Sequence, residues 1–237
     1  MKAKTPVPGL IDLKKFVRTD KPHISNSYLS TLKRALIGSP QWFGTEAFLE
    51  FGTEHHKRSL EPKEERLLLP KNDQLCTDMA CSFRSHPEVK QILRGAKCEV
   101  EYNRYYRGAL FKLFVDIEKP LRGWDLKGTS CESEQQFIKK AREYDYFRQA
   151  ALYMDVCKYK EFSFIGEQKT PEPCDRGMPG AYKVEDKLTG LSYYQYHPLF
   201  FLNVLDYPVY LKEGRDELHF LTDTHIQLRK YYEKQTA

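Results

Sequence analysis

The stretch that most constrains this chain is a pair of extended segments joined by a proline turn. From Leu110 to Glu118 the residues alternate, with Phe111, Leu113, Val115 and Ile117 on one face of a strand and Lys112, Phe114, Asp116 and Glu118 on the other. Pro120 and Gly123 mark a turn, and Trp124 to Gly128 reads as the next strand. If the turn is centred between Pro120 and Leu121, residues whose numbers sum to 241 lie opposite each other, so Asp116 faces Asp125. Opposed residues of antiparallel strands have Cα atoms about 4.5–5.5 Å apart, and like charges there are destabilising. Lys127, two residues beyond Asp125, projects from the same face. Two carboxylates and an ammonium gathered in this way suit a divalent cation and a group that handles a water molecule. The ordinary alternative is a solvated hairpin face with a salt bridge.

The flanking sequence supplies helices. Ser27 to Phe43 begins as a helix stopped by Gly38 and Pro40, and Thr45 to Leu60 follows as a second, with Thr45 as N-cap and Pro62 just past its end. Residues 61–73 read as a loop, Pro87 to Leu93 as a helix with proline in its first turn, and Lys97 to Asn103 as a strand with Glu99 and Glu101 on one face. Ser133 to Lys158 has helical spacing, in one or two pieces. Glu161 to Glu167 is a fourth strand, 171–180 a loop, and a helix closes the chain near Asp216 to Lys234. This order predicts an α/β (α+β) layered domain, and 237 residues suit one domain with elaborations.

Two helices carry polar residues on inward faces. Phe48, Gly52, His56 and Leu60 form a stripe at four-residue steps, which points His56 inward and His55 about 100° away. A glycine in mid-helix costs about 1 kcal/mol relative to alanine, so Gly52 implies a packing reason such as close backbone approach. Gln149 and Tyr153 share a face with Tyr146, Ala150 and Met154, where a glutamine needs a hydrogen-bond partner.

Composition narrows the function classes. The six cysteines include no C-x-x-C pair and fit no zinc ribbon or compact disulfide framework, so free thiols in a reducing cytoplasm are expected. No apolar run approaches the roughly 18 residues of a membrane span, and the N-terminus lacks the apolar core of a signal peptide. Residues 1–40 hold eight Lys/Arg against two Asp, although the whole chain nets only +5. A basic arm on a nearly neutral body suits a polyanion such as DNA.

Together these residues resemble the RecB-type branch of the PD-(D/E)XK nuclease superfamily, most nearly the exonuclease VIII (RecE)-like phage nucleases. The matching pieces are SPQWF (39–43), GTEHHKRSLEP (52–62), SHPEVKQIL (85–93), Gly108 eight residues before Asp116, WDLKGTS (124–130) and YFRQAALYMD (146–155). The resemblance covers residues 27–171. It implies a restriction-endonuclease-like core there, a central mixed β-sheet flanked by helices, with a basic arm at 1–26 and an extension at 172–237 packed on the same domain. It further implies that His56, Asp116 and Asp125, with a backbone carbonyl near Leu126, hold Mg²⁺ or Mn²⁺. Asp116, Asp125 and Lys127 would be catalytic, with the Lys127 pKa kept down by the ion so that it can orient or deprotonate water. Gln149 and Tyr153 would lie along the DNA path, and Glu99 or Glu101 could supply the upstream glutamate that sometimes assists in the superfamily.

The implied activity is that of a metal-dependent deoxyribonuclease resecting linear double-stranded DNA for recombination, in a bacterial or phage-infected cytoplasm. A single-strand annealing protein would be the matching partner, and assembly into a homo-oligomer stays open. The alternatives are a non-catalytic DNA-binding or assembly module on the same scaffold and a structure-specific endonuclease. Two departures stand out: Gly128 follows Lys127 where threonine is usual, and Val115 precedes Asp116 where the family tends to have proline or isoleucine. The terminal cysteine spacing of iron–sulfur members is absent.

Overall fold

Pro120 and Leu121 form the connection around which the molecule is organised. In the computed structural model, which describes residues 22–38, 46–61, 73–186 and 188–236, the flanking strands pair Lys119 with Arg122, Glu118 with Gly123 and Ile117 with Trp124. This is the register expected from the sequence. Leu121 has φ 64°, the left-handed conformation required at the second central position of a type II turn with proline at the first.

The chain runs β1 (His23–Ile24), α1 (Asn26–Leu36), α2 (Glu46–Leu60), α3 (Asp73–Ser85), α4 (Pro87–Leu93), β2 (Lys97–Tyr106), β3 (Ala109–Lys119), β4 (Arg122–Thr129), α5 (Glu134–Glu143) and α6 (Tyr146–Cys157). It continues through β5 (Glu161–Gln168), β6 (Glu172–Cys174), β7 (Tyr182–Glu185), β8 (Ser192–Tyr196) and β9 (Leu199–Asn203) to α7 (Pro208–Thr236). Local chemistry sets several boundaries. Ser25 caps α1 by accepting the Tyr28 N–H, Ser133 caps α5 by accepting that of Gln136, and Gly38 leaves α1 at φ 67°. The expected features at SPQWF, Thr45, Pro62 and most of the basic arm lie outside the described residues, as does the side chain of Phe48.

The main sheet is mixed, in the order β1-β3-β4-β5-β9, with β2 on the remaining edge of β3. β2 and β3 join through Arg107 and Gly108, both at positive φ, as in a type I′ hairpin. β4 and β5 are parallel along their whole length and connected by α5 and α6. β6, β8 and β7 form a separate three-stranded sheet. The 171–180 segment expected as a loop therefore contributes a short strand.

Two clusters of apolar side chains cover the faces of the main sheet. The larger gathers Leu29 and Leu32 of α1, Phe111, Leu113 and Val115 of β3, Phe137 of α5, Ala150 and Leu152 of α6, Phe162 and Phe164 of β5, and Leu218 of α7. The smaller gathers Leu60, Phe83, Val89, Ile117, Leu126 and Ile165. Burying each large side chain contributes about 1.5–3 kcal/mol. The alternation expected to run from Phe111 through Ile117 thus changes sides: the first three members pack in one cluster and Ile117 in the other. The switch falls at Asp116.

Glycine permits a close approach of two helix backbones. A Cβ at Gly214 of α7 would stand 2.5 Å from the Phe147 carbonyl carbon, so α7 lies directly on the backbone of α6. Gly52 is different. The expected close approach does not exist among the described residues, because a Cβ there would meet nothing within 4 Å.

Candidate active site

Beyond Trp124 the two strands of the central hairpin part. Leu110 and Phe111 pair with β2 on one edge of β3 and with β1 on the other. β1 therefore occupies, at the start of β3, the edge that β4 holds at its end. Between these contacts that edge of β3 has no strand partner among the described residues, and side chains take its place. The Asp116 carboxylate accepts the Leu126 N–H at 2.7 Å, and the Tyr153 hydroxyl donates to the Phe114 carbonyl at 2.8 Å. Backbone groups released by the divergence are thereby satisfied, and the carboxylates of Asp116 and Asp125 are held at its mouth.

Glu99 of β2 joins them through an unusual backbone conformation. Its φ of 51° is left-handed, rare for a residue with a long side chain, and the β2–β3 ladder omits Glu99 and Asp116 while keeping register on both sides. One ligand atom each from His56, Glu99 and Asp116 lies within 4.8 Å of the others. His56 Nδ1 is 3.4 Å from Asp116 Oδ2 and 3.9 Å from Glu99 Oε1. Glu101, the other sequence candidate, is spent elsewhere, on Lys112 at 3.0 Å and Asn103 at 2.6 Å.

Of the expected trio of His56, Asp116 and Asp125, the first two lie together and are joined there by Glu99. Asp125 sits beside Asp116 but is engaged by Lys127, which forms an ion pair with Oδ2, and by Gln149, whose Nε2 donates to Oδ1 at 2.6 Å. Gln149 and Tyr153, expected along a DNA path, are instead buried and commit their polar ends to Asp125 and Phe114. They seat the site from behind.

The electrostatics are those of crowded acids. Burial and the neighbouring Asp125 hold the Asp116 carboxyl well above the usual range. Burial and Asp116 push Glu99 up to about 7. Burial pulls His56 down, partly countered by Asp125. For Lys127 burial favours the neutral amine, but Asp125, Tyr146 and Asp116 outweigh it and raise its pKa. The ammonium stands 5.3 Å from the centre of the Tyr146 ring. In this arrangement the acids around Lys127 favour its charged form. The donor set fits a hard divalent cation: one imidazole nitrogen and carboxylate oxygens whose mutual repulsion a cation would relieve.

Helix α2 is rotated from the expected orientation. Its most buried stripe is Phe51, His55 and Ser59, and His56 stands on the flank that faces the acids. His55 Nε2 lies 2.6 Å from Glu167 Oε2, both side chains fully buried. Burial lowers His55 to about 3 and raises Glu167, so the buried setting opposes charge on both partners. This bond ties α2 to β5, beside the Lys127–Gly128 segment that pairs with Gly166 and Glu167. The signal for it in the sequence was Glu167, a glutamate directly after the run Phe164, Ile165 and Gly166 in the buried half of β5.

The family model for a "PDDEXK-like domain of unknown function (DUF3799)" matches residues 40–169. The chain belongs to this PDDEXK-like family. Its mixed sheet flanked by helices is the fold expected from that superfamily. No curated protein matches the sequence. Among solved structures the chain is similar to the "Putative exonuclease" from Eubacterium rectale, with TM-score 0.57 and 13% identity, covering 97% of this chain and 87% of that one. The structure of SSO0001 also matches, at TM-score 0.29 and 12% identity over 79% of this chain and 88% of that one, a likeness too slight to carry an argument.

Proposed function

We propose that this PDDEXK-like chain is a Mg²⁺- or Mn²⁺-dependent deoxyribonuclease of the RecE-like exonuclease kind, acting on linear double-stranded DNA. The observation that carries the reading is the convergence of His56, Glu99, Asp116, Asp125 and Lys127 where β3 and β4 separate. The family match and the same-fold neighbour named as an exonuclease support it.

His56, Glu99 and Asp116 would hold the ion, with Asp125 and the Leu126 carbonyl beside them. A bound ion activates water and offsets charge gathering on a phosphate. Lys127, as an ammonium, donates a hydrogen bond that orients the attacking water and neutralises a phosphate oxygen. Gln149 fixes the Asp125 carboxylate, and Tyr153 fixes the strand that carries Asp116. Product strands left by such resection would suit a single-strand annealing protein as partner, and the N-terminal basic arm would gather DNA through its phosphates.

The test is digestion of end-labelled linear duplex in Mg²⁺ or Mn²⁺, beside a chelator control and closed-circular DNA. Metal-dependent loss of the linear substrate alone, abolished by Asp125→Ala and by Lys127→Ala, is the expected result. Cutting of the circle would convert the reading to an endonuclease. Undiminished digestion by either variant would refute the site, and salt-sensitive binding without cleavage would leave a DNA-binding module.

A further inference from the structure

Gly52 lies mid-helix in α2, where glycine weakens a helix, yet a Cβ there would enter open space. That space is a cleft of about 470 Å³ shared with His56 and Glu99, within the roughly 300–1,000 Å³ of small-ligand sites. Across it stands Phe114, 46% exposed, with the Lys112 ammonium 5.1 Å from its ring centre, while Leu49, 68% exposed, lies one turn before Gly52 on the α2 wall. Phe114 is two residues before Asp116 on the same strand, and Lys57 lines the same wall as Gly52. An aromatic ring at the rim, a basic residue, a helix lacking a side chain where the cleft passes and an acid–imidazole cluster at its end together describe a place for one flat apolar body carrying a phosphate.

We propose that this cleft is a single-nucleotide subsite. It receives an unpaired nucleotide next to the scissile phosphate, with its base against Phe114 and its sugar–phosphate passing over Gly52. Stacking on an aromatic ring accepts any base, so the subsite selects for an unpaired strand end and not for sequence. The inference rests on the nuclease reading for its role in turnover, but binding tests it separately.

Gly52→Ala separates a ligand role from a structural one because its two effects have opposite signs. Added helix propensity raises the melting temperature by about 2–4 °C, while the methyl group intrudes on the path and lowers kcat/KM on linear DNA roughly tenfold or more. Phe114→Ala lowers kcat/KM roughly 10- to 100-fold, and Phe114→Trp restores it. For binding alone, an Asp125→Asn background is mixed with a single-stranded oligonucleotide carrying terminal 2-aminopurine. Fluorescence is quenched by the ring, and the quench disappears with Phe114→Ala. A Gly52→Ala protein that is stabilised and digests at the wild-type rate overturns the subsite, as does a quench that survives Phe114→Ala. If the wild type cleaves nothing in either metal, the nuclease reading fails and the quench still decides the cleft.

Discussion

Arg148 and Gln149 are consecutive residues of α6 that reach into two different charged clusters. Arg148, fully buried, extends toward α1 and α7, where its Nη1 lies 2.9 Å from Glu217 and 3.1 Å from Asp145. Lys33 of α1 bridges the same two acids at 2.6 and 2.9 Å. Two cations alternate with two anions; burial alone would lower the Lys33 pKa, but the acids raise it. Gln149 reaches the sheet side, where Glu99, Asp116 and Asp125 crowd around one ammonium and one imidazole. The residue types are similar and the order of charges is not. Alternation makes a joint between helices, whereas crowding leaves acids that favour a proton or a cation, the pattern on which the proposed site rests.

Variants can break this contrast. Asp116→Asn should reduce metal-dependent DNA digestion by roughly a thousandfold or more, while raising the melting temperature because one crowded charge is gone and an acceptor for the Leu126 N–H remains. Arg148→Ala should do the reverse, costing about 3–5 kcal/mol in denaturant unfolding because two acids lose a buried partner, with digestion per folded molecule unchanged. If both variants merely lowered stability, the distinction would collapse. Gln149→Ala should fall between, losing roughly 10- to 100-fold in activity as supporting partners of metal sites do, with little change in melting temperature.

The smallest effect concerns pH on the joint side. His225 of α7 meets the Tyr28 hydroxyl of α1 at 2.8 Å, and burial, helped by Arg229, lowers its pKa to about 4. The unfolded chain takes up the proton near pH 6.5, so stability should decline as pH falls from about 6.5 to 4. His225→Gln should flatten that part of a melting-temperature profile.

One side of this contrast, the acid cluster, was readable from residue order. A period-two pattern around a proline turn fixes which residues oppose each other, so Asp116, Asp125 and Lys127 could be placed on one hairpin before any coordinates. Period alone could not place Glu99, because its role depends on a positive φ that no alternation encodes. Helix α2 misled for another reason. It packs against both the sheet and α3, so neighbouring stripes are both covered, and the stripe through Phe51 and His55 proved the deeper. Helix α3 does carry a helical spacing, in Cys76, Met79, Ala80 and Phe83, whereas the strands after residue 171 are only three to five residues long and left no pattern strong enough to read. Gly52 was noticed for the right anomaly and given the wrong cause.

The seam at Gly214 lets α7, beyond the segment that the family model covers, rest on the peptide that joins Phe147 to Arg148, one step before the glutamine that steadies Asp125. Any side chain at that seam would lever α6 outward and tilt the carboxylate's seat. A tail outside the recognised domain thus holds a mechanical handle on the seat of Asp125, and drift there would shift that seat without altering a single acid.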